Sequence, residues 1–238
     1  MITVETQHPI ATESLDHIHP EGIYYDNNLN VWWTTNAENY FGAGEGGRKL
    51  NFLDLGCAGG LLVRYMHERG HLAVGLEGSD HCLNIRPEMV EEVGQLPYGH
   101  ENWKIHGNKI LFTCDVTKEF TIRNDGKLLK FDLISCWDVI EHFEPEELDT
   151  FFGLVDKHLA DNGIFVGTIA LIEAPRMATS KNTPANLNYH KSLFSSDWWD
   201  KKLAQYFTRI DYIATFGECL NRPTHPSTIA FAVTKRKT

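Results

Sequence analysis

LNFLDLGCAGGLLVRYM, residues 50–66, decides how this chain folds. Leu50–Gly56 is a short apolar run of the kind that forms a buried strand. Leu61, Leu62, Tyr65 and Met66 then recur at helical spacing, and Gly70 supplies the stop. Between strand and helix lies DLGCAGG. Its small residues let the backbone approach a ligand, and the following helix opens with N–H groups that have no partner inside it. LAVGLEG (72–78) reads as a second strand. Glu77, near its end, stands about 20 residues beyond the turn, where a carboxylate can accept both hydroxyls of a ribose.

The alternation continues. Ser79 or Asp80 is placed to cap a helix, residues 86–108 have no clear period, and KILFTCDV (109–116) is a third strand. FTIRNDGKLLKF (120–131) predicts a β-hairpin turning at Asn124-Asp125-Gly126. FDLISCWD (131–138) is a fourth strand. Pro145, Glu146 and Glu147 open a helix with apolar face Leu148, Phe151, Phe152, Val155 and Leu159. Asp161-Asn162-Gly163 ends it and GIFVGTIAL is a fifth strand. A polar loop follows at 173–194, then a helix capped by Ser195 or Ser196. RIDYIATF (209–216) and STIAFAVTK (227–235) are late strands with no helix between them, so they should pair antiparallel. Strands alternating with helices imply an α/β fold around a mostly parallel sheet, with ligands beyond the carboxyl ends of its strands.

A second glycine cluster, GAGEGG (42–47), fits the dinucleotide fingerprint G-x-G-x-x-G letter for letter. That fingerprint needs a strand before it and a helix after it. WWTTNAENYF precedes it and the strand of residues 50–56 follows, so a nicotinamide dehydrogenase fails by context. Arg48-Lys49-Leu50 stands where a P-loop needs Lys then Ser or Thr. The stretch reads as a flexible linker or hinge between an N-terminal cap (1–48 with the linker) and a core (49–238), together one domain.

The 238 residues are 42% hydrophobic and 23% charged, with a formal net charge of −10. Nucleic-acid binding draws on clustered Lys and Arg, so none is expected as partner. The five cysteines include no C-x-x-C, which suits small core residues in a reducing cytoplasm. No Lys or Arg precedes Arg48, so neither a signal nor a transit peptide is expected, and the best apolar run (163–172) is too short to insert in a membrane. H-x-H at His17 and His19 lacks a third ligand at recognisable spacing, so no metal is expected.

DLGCAGG, Glu77, CDV at 114–116 and FDLISCWDVIEHF together resemble the class I S-adenosylmethionine-dependent methyltransferases, in particular small-molecule enzymes of the ubiquinone-biosynthesis type. The resemblance covers residues from about 50 to 235. One departure is Ala58, which replaces a glycine of D-x-G-x-G-x-G. It implies a Rossmann-like, doubly wound sheet of seven strands, with helices on both faces and a late antiparallel pair. It also implies S-adenosyl-L-methionine as cofactor and S-adenosyl-L-homocysteine as product. Asp54 and the backbone of Gly56, Cys57, Ala58, Gly59 and Gly60 would hold the methionine end. Glu77 with Gly78 would take the ribose, and Asp115 with Val116 the adenine. Trp137 or Asp138 would line the cofactor.

Methyl transfer to oxygen or nitrogen needs positioning and removal of a proton. His142, just past strand four, and His190, in NYHKSLFSS, are the candidate bases, since imidazole titrates near neutrality. Glu141 is read as orienting groups in the acceptor region. Tyr24, Tyr25, Trp32 and Trp33 could stack on an acceptor ring and exclude water. The N-P-P-Y-type motif of amino-directed nucleic-acid enzymes is absent, which favours a hydroxyl on a sugar, phenolic or secondary-metabolite intermediate. The expected partners are that small molecule and, in a homodimer, a second copy of the chain. A catalytically silent cofactor-binding protein of the same fold is the alternative.

Overall fold

The computed structural model describes residues 1–19, 23, 31–173, 188–211 and 227–236. In chain order its elements are β1 (Ile2–Thr6), α1 (Leu15–Ile18), α2 (Val31–Tyr40), β2 (Asn51–Leu55), α3 (Leu61–Glu68), β3 (Leu72–Glu77), α4 (Pro87–Val93) and α5 (His100–His106). Then come β4 (Leu111–Thr113), β5 (Phe120–Asn124), β6 (Lys127–Leu128), β7 (Phe131–Trp137), α6 (Leu148–His158), β8 (Leu159–Ala170), α7 (Ser196–Tyr206), β9 (Phe207–Arg209) and β10 (Thr228–Lys235).

Seven strands form one sheet in the order β4-β3-β2-β7-β8-β10-β9. The first five run parallel, and β10 is antiparallel to both its neighbours. Strands buried on both faces need continuous apolar sequence, and NFLDL and LAVGLE supply it. Leu53, Leu55, Val74 and Leu76 face one core with Phe151 and Phe152 of α6 and Trp199 and Leu203 of α7. Phe52 and Ala73 face the other, with Trp33 of α2, Val63 and Met66 of α3 and Trp103 of α5. Strand order reverses between β2 and β7, which puts a crevice at their carboxyl ends. Among the described residues, no helix is long and apolar enough to cross a membrane.

Several local expectations are corrected. Residues 86–108 are two helices, not irregular chain. Pro87 opens α4 and Gly94, at φ 80°, closes it, but the helix has little apolar face to give it a period. Ser79 and Asp80 cap no helix, because a turn precedes α4. The third strand is confined to Leu111–Thr113. Asp161-Asn162-Gly163 lies inside β8, where the register against β7 shifts, rather than ending a helix. β9 leaves α7 directly at Phe207, before the stretch expected to be a strand, and residues 212–216 of that stretch lie outside the described residues.

The N-terminal cap opens with a strand. β1 pairs antiparallel with β5 in a second sheet, β1-β5-β6, with Thr6 opposite Phe120. The hairpin expected at 120–131 is present, and Asp125 and Gly126 both take the positive φ its two-residue turn demands. GAGEGG is the stop of α2 and a closed turn. Gly42, at φ 63°, donates to the Asn39 carbonyl, and Ala43 donates to that of Glu38 at 2.7 Å, the Schellman arrangement. Glu38 then fixes α2 to the sheet. Its buried carboxylate accepts from Arg69 Nε and Nη2, both at 2.6 Å, and lies 2.7 Å from His71 Nε2. Burial pushes that carboxyl up, but Arg69 and His71 outweigh it and hold it below the ordinary carboxylate range.

Candidate functional site

A cavity of about 490 Å³ opens at the carboxyl ends of the central strands. Gly56 after β2, Glu77 and Gly78 after β3, Asp115 and Val116 after β4, and Val139 after β7 border it. Its outer wall is the segment His8–His17, tied to the strand ends by two backbone bonds. Ala11 N donates to the Gly78 carbonyl at 2.8 Å, and Asp115 N donates to that of His8 at 2.9 Å. Sequence reasoning missed this wall. Its one local signal is Ser14, which caps the four-residue α1 by accepting from Asp16 N, too short an element to show a period.

Gly56 is required where it stands. Its φ is 72°, and a Cβ there would lie 2.4 Å from Val139 Cγ2. Glu77 shapes the turn beside it. Its Oε2 accepts from Ala58 N at 2.8 Å and its Oε1 from Ser79 N at 3.0 Å. Burial pushes Glu77 up to about 6, against those two bonds, and Asp16 raises it further. Ala58 adopts φ 44°, the left-handed conformation that explains why glycine is usual there. Asp115 Oδ1 accepts from Thr117 N and Oγ1, which fixes its carboxyl at the rim.

The remaining motif residues lie behind the cavity wall. α5 covers the turn: Trp103 Nε1 donates to the Ala58 carbonyl and Asn102 Nδ2 to that of Gly59, each at 2.7 Å. A Cβ on Gly99 would fall 2.1 Å from Gly59 Cα, so the two backbones touch. Gly60, at φ 72°, caps α3, and Cys57 is buried. Asp54 lies beneath the turn with Ser135 Oγ donating to it at 2.6 Å, and burial pushes it up to about 7. Asp138, at φ 52°, accepts from Thr168 Oγ1. Trp137 packs edge-on against Trp33 with ring centroids 5.0 Å apart. Trp33 is therefore a core residue, 1% exposed, rather than part of an open aromatic cap. Tyr24, Tyr25 and the Trp32 side chain lie outside the described residues.

Beside the same cavity, the turn after β7 meets the segment 188–192. Glu141 is fully buried. Its Oε1 accepts from Ala170 N at 2.8 Å, and its carbonyl accepts from Lys191 N and Ser192 N. Its Oε2 has no hydrogen-bond partner among the described residues. Burial pushes Glu141 up to about 7, with His142 opposing the shift. His142 borders the cavity, and its ring centroid is 4.9 Å from that of His190. Its Nδ1 lies 2.9 Å from Asp16 Oδ2, off the hydrogen-bond direction. Burial pulls His142 down, but Asp16 outweighs it and holds the ring above its ordinary value. His190 is held below, chiefly by burial, with Nδ1 donating to the Ile172 carbonyl at 2.5 Å. The structure thus brings together both candidate histidines and Glu141, from segments far apart in sequence.

A mostly parallel sheet with one antiparallel strand next to its edge, and a glycine turn and an acid at its switch point, defines the Rossmann-like methyltransferase class. The family described as "Methyltransferase domain" matches residues 35–226, and the chain belongs to this family, whose methyl donor is S-adenosylmethionine. Over 128 residues, 53% of the chain, it is 26% identical to the ubiquinone biosynthesis O-methyltransferase of Aromatoleum aromaticum. That match spans 46% of the relative's length, so the chain covers about half of this curated relative. Two solved structures share the fold. The Burkholderia thailandensis 1,6-didemethyltoxoflavin-N1-methyltransferase, with its substrate and S-adenosylhomocysteine bound, has TM-score 0.56 and 15% identity over 93% of this chain and 84% of that one. An S-adenosylmethionine-dependent methyltransferase from Clostridium acetobutylicum has TM-score 0.55 and 16% identity over 93% and 97%.

Proposed function

We propose that the chain transfers a methyl group from S-adenosylmethionine to a hydroxyl oxygen of a small molecule. One observation carries the reading: His142 borders the same cavity as Gly56, Glu77 and Asp115, so donor-side and acceptor-side groups share one space. The residues fit the donor. Glu77 lines the cavity, and each of its oxygens, accepting one backbone N–H, keeps a second lone pair for a ribose hydroxyl. Asp115 at the next strand end accepts from the adenine amine. Gly56 lets the chain pass close to the thioether end, since any side chain there meets Val139. When bound, the donor supplies a methyl group on a sulfonium for in-line displacement. The protein's part is to align the acceptor oxygen and exclude water. The hydroxyl must also shed its proton, and Glu141, His142 and His190 are the groups placed to bring that about.

An O-methyltransferase among the relatives supports oxygen as the acceptor atom. The test is methyl transfer from labelled S-adenosylmethionine to a panel of phenols, quinols and sugars, with thermal shifts by S-adenosylhomocysteine and NAD in parallel. Stabilisation by S-adenosylhomocysteine and label on an oxygen are expected. Stabilisation by NAD alone would overturn the reading, and label on nitrogen or carbon only would overturn the acceptor atom.

A further inference from the structure

Glu141, His142 and His190 each place one ligand atom within 4.8 Å of the others. A divalent ion bound by nitrogen and oxygen holds its ligands at about 2.0–2.2 Å, so opposite ligands stand roughly 4 Å apart. A small inward movement of the three side chains closes that gap. The groups are also prepared for it. Glu141 Oε2 is buried and has no partner among the described residues, an arrangement costly for a carboxylate unless something cationic faces it. The Ile172 carbonyl accepts from His190 Nδ1–H, which leaves Nε2 of the neutral ring with its lone pair. Asp16 Oδ2 stands 2.9 Å from His142 Nδ1, off the hydrogen-bond direction, and sets a negative charge beside that ring. A carbonyl or carboxylate behind the far nitrogen is how ligating histidines are oriented.

We infer that Glu141, His142 and His190 form a binding site for a first-row divalent cation, of the Zn²⁺ or Mn²⁺ kind, at the acceptor end of the cavity. Two histidines and one carboxylate leave open positions on the ion. A second cluster, His17, Asp80 and His81, shares the carbonyl behind one imidazole, His81 Nε2 on the His17 carbonyl, but Arg86 Nη2 lies 3.1 Å from His17 Nε2 and sets a cation beside it, and its carboxylate, Asp80, already accepts from Asn84 Nδ2. The role of the ion rests on the proposed methyl transfer; its presence does not. An acceptor hydroxyl in an open position becomes more acidic, as water does on zinc. Its O–H bond breaks and the proton passes to solvent water. The oxygen then forms the new C–O bond as the methyl–sulfur bond breaks, leaving neutral thioether. The histidines thus act by holding the ion rather than by taking the proton themselves.

The test uses the full chain stripped with EDTA, titrated with Mn²⁺ and Zn²⁺ by calorimetry, with Mn²⁺ also followed by its electron spin resonance. S-adenosylhomocysteine is titrated into the same preparations. One ion per chain is expected, bound at least tenfold more weakly by His190→Ala and by Glu141→Gln, with S-adenosylhomocysteine affinity kept within about threefold. His190 lies on a segment outside the helices and strands, so its variant stays informative should Glu141→Gln fail to fold. His81→Ala should bind the ion as the parent does. No stoichiometric ion, equal affinity in His190→Ala, or loss in His81→Ala alone would overturn the site. Ion binding without S-adenosylhomocysteine binding would sink the methyltransferase reading and leave the cation site standing. Methyl transfer at an unchanged rate in stripped protein would overturn the role given to the ion.

Discussion

Glu77→Gln separates what Glu77 does for the fold from what it does for the donor. In the wild type its two oxygens accept from Ala58 N and Ser79 N, and burial pushes its carboxyl from an ordinary 4.5 to about 6. For an acid, a raised folded value means that the folded chain holds the proton more tightly. Stability is then greatest below 4.5 and falls as pH rises from there through 6, by about 2 kcal/mol in all. Glutamine removes that charge penalty at pH 7. It also keeps only one acceptor oxygen, which leaves one N–H facing an amide donor at a cost of about 1–3 kcal/mol. The two effects nearly cancel, so urea unfolding at pH 7 should change by no more than about 1 kcal/mol.

Donor binding should not cancel. Ribose hydroxyls need the ionised carboxylate, and at pH 5 a group titrating near 6 is ionised in roughly one molecule in eleven. Calorimetric Kd for S-adenosylhomocysteine should therefore weaken about tenfold from pH 7 to pH 5 in the wild type. In Glu77→Gln it should be at least tenfold weaker at pH 7 and flatter with pH. Asp54 is pushed up to about 7 chiefly by burial and in part by Glu77 itself, so its titration shifts in the variant and the loss of affinity at pH 7 is the primary readout. A Kd within threefold of wild type, or parallel profiles, would refute the assignment.

Three shorter predictions follow from the fold. Gly56→Ala should cost about 2–4 kcal/mol, from its left-handed backbone and the Val139 contact, and Val139→Ala in the same chain should restore only the contact part in thermal unfolding. Gly42→Ala should lower stability by about 1 kcal/mol through its φ of 63° yet leave S-adenosylhomocysteine affinity within twofold; a large loss would return GAGEGG to the binding site. Glu38→Gln should cost about 3 kcal/mol at pH 7, since it breaks a buried pair. Glu38 is held low in the folded state, so its contribution is present above pH 4.5 and lost as pH falls below it, and urea curves should converge in acid.

The sheet was readable because its signals are local. A parallel strand needs five or six apolar residues in a row, and a helix after it needs a glycine turn and a 3.6 period, all within one window around residue 56. The acid after β3 was readable for the same reason. What escaped depends on distance. β1 is held as a strand by β5 beside it, and the alternation of ITVET runs for only five residues, too short to stand out alone. α4 and α5 have breakers at their ends but little apolar period, so their place over the glycine turn needs the fold. His142 and His190 each stood out as imidazoles near the expected acceptor, but neither window shows that Glu141, close to both, keeps a buried oxygen without a partner among the described residues. The Trp33 expectation failed because an aromatic cluster in sequence does not say which ring the sheet buries.

The small sheet β1-β5-β6 acts as a calliper for the cavity. The wall His8–His17 continues directly from β1, so the register of that one pairing sets how far the wall stands from Gly78 and Asp115. A slip of two residues keeps the alternation of ITVET, with Ile2 and Val4 still inward, but moves the strand by about 7 Å. Single interactions oppose it: the Arg123–Glu5 pair, Thr6 Oγ1 on the Glu119 carbonyl, and the Asp115 bond to His8. The bore of the cavity is thus graduated in strand residues, and it is read off at a hairpin that does not line it.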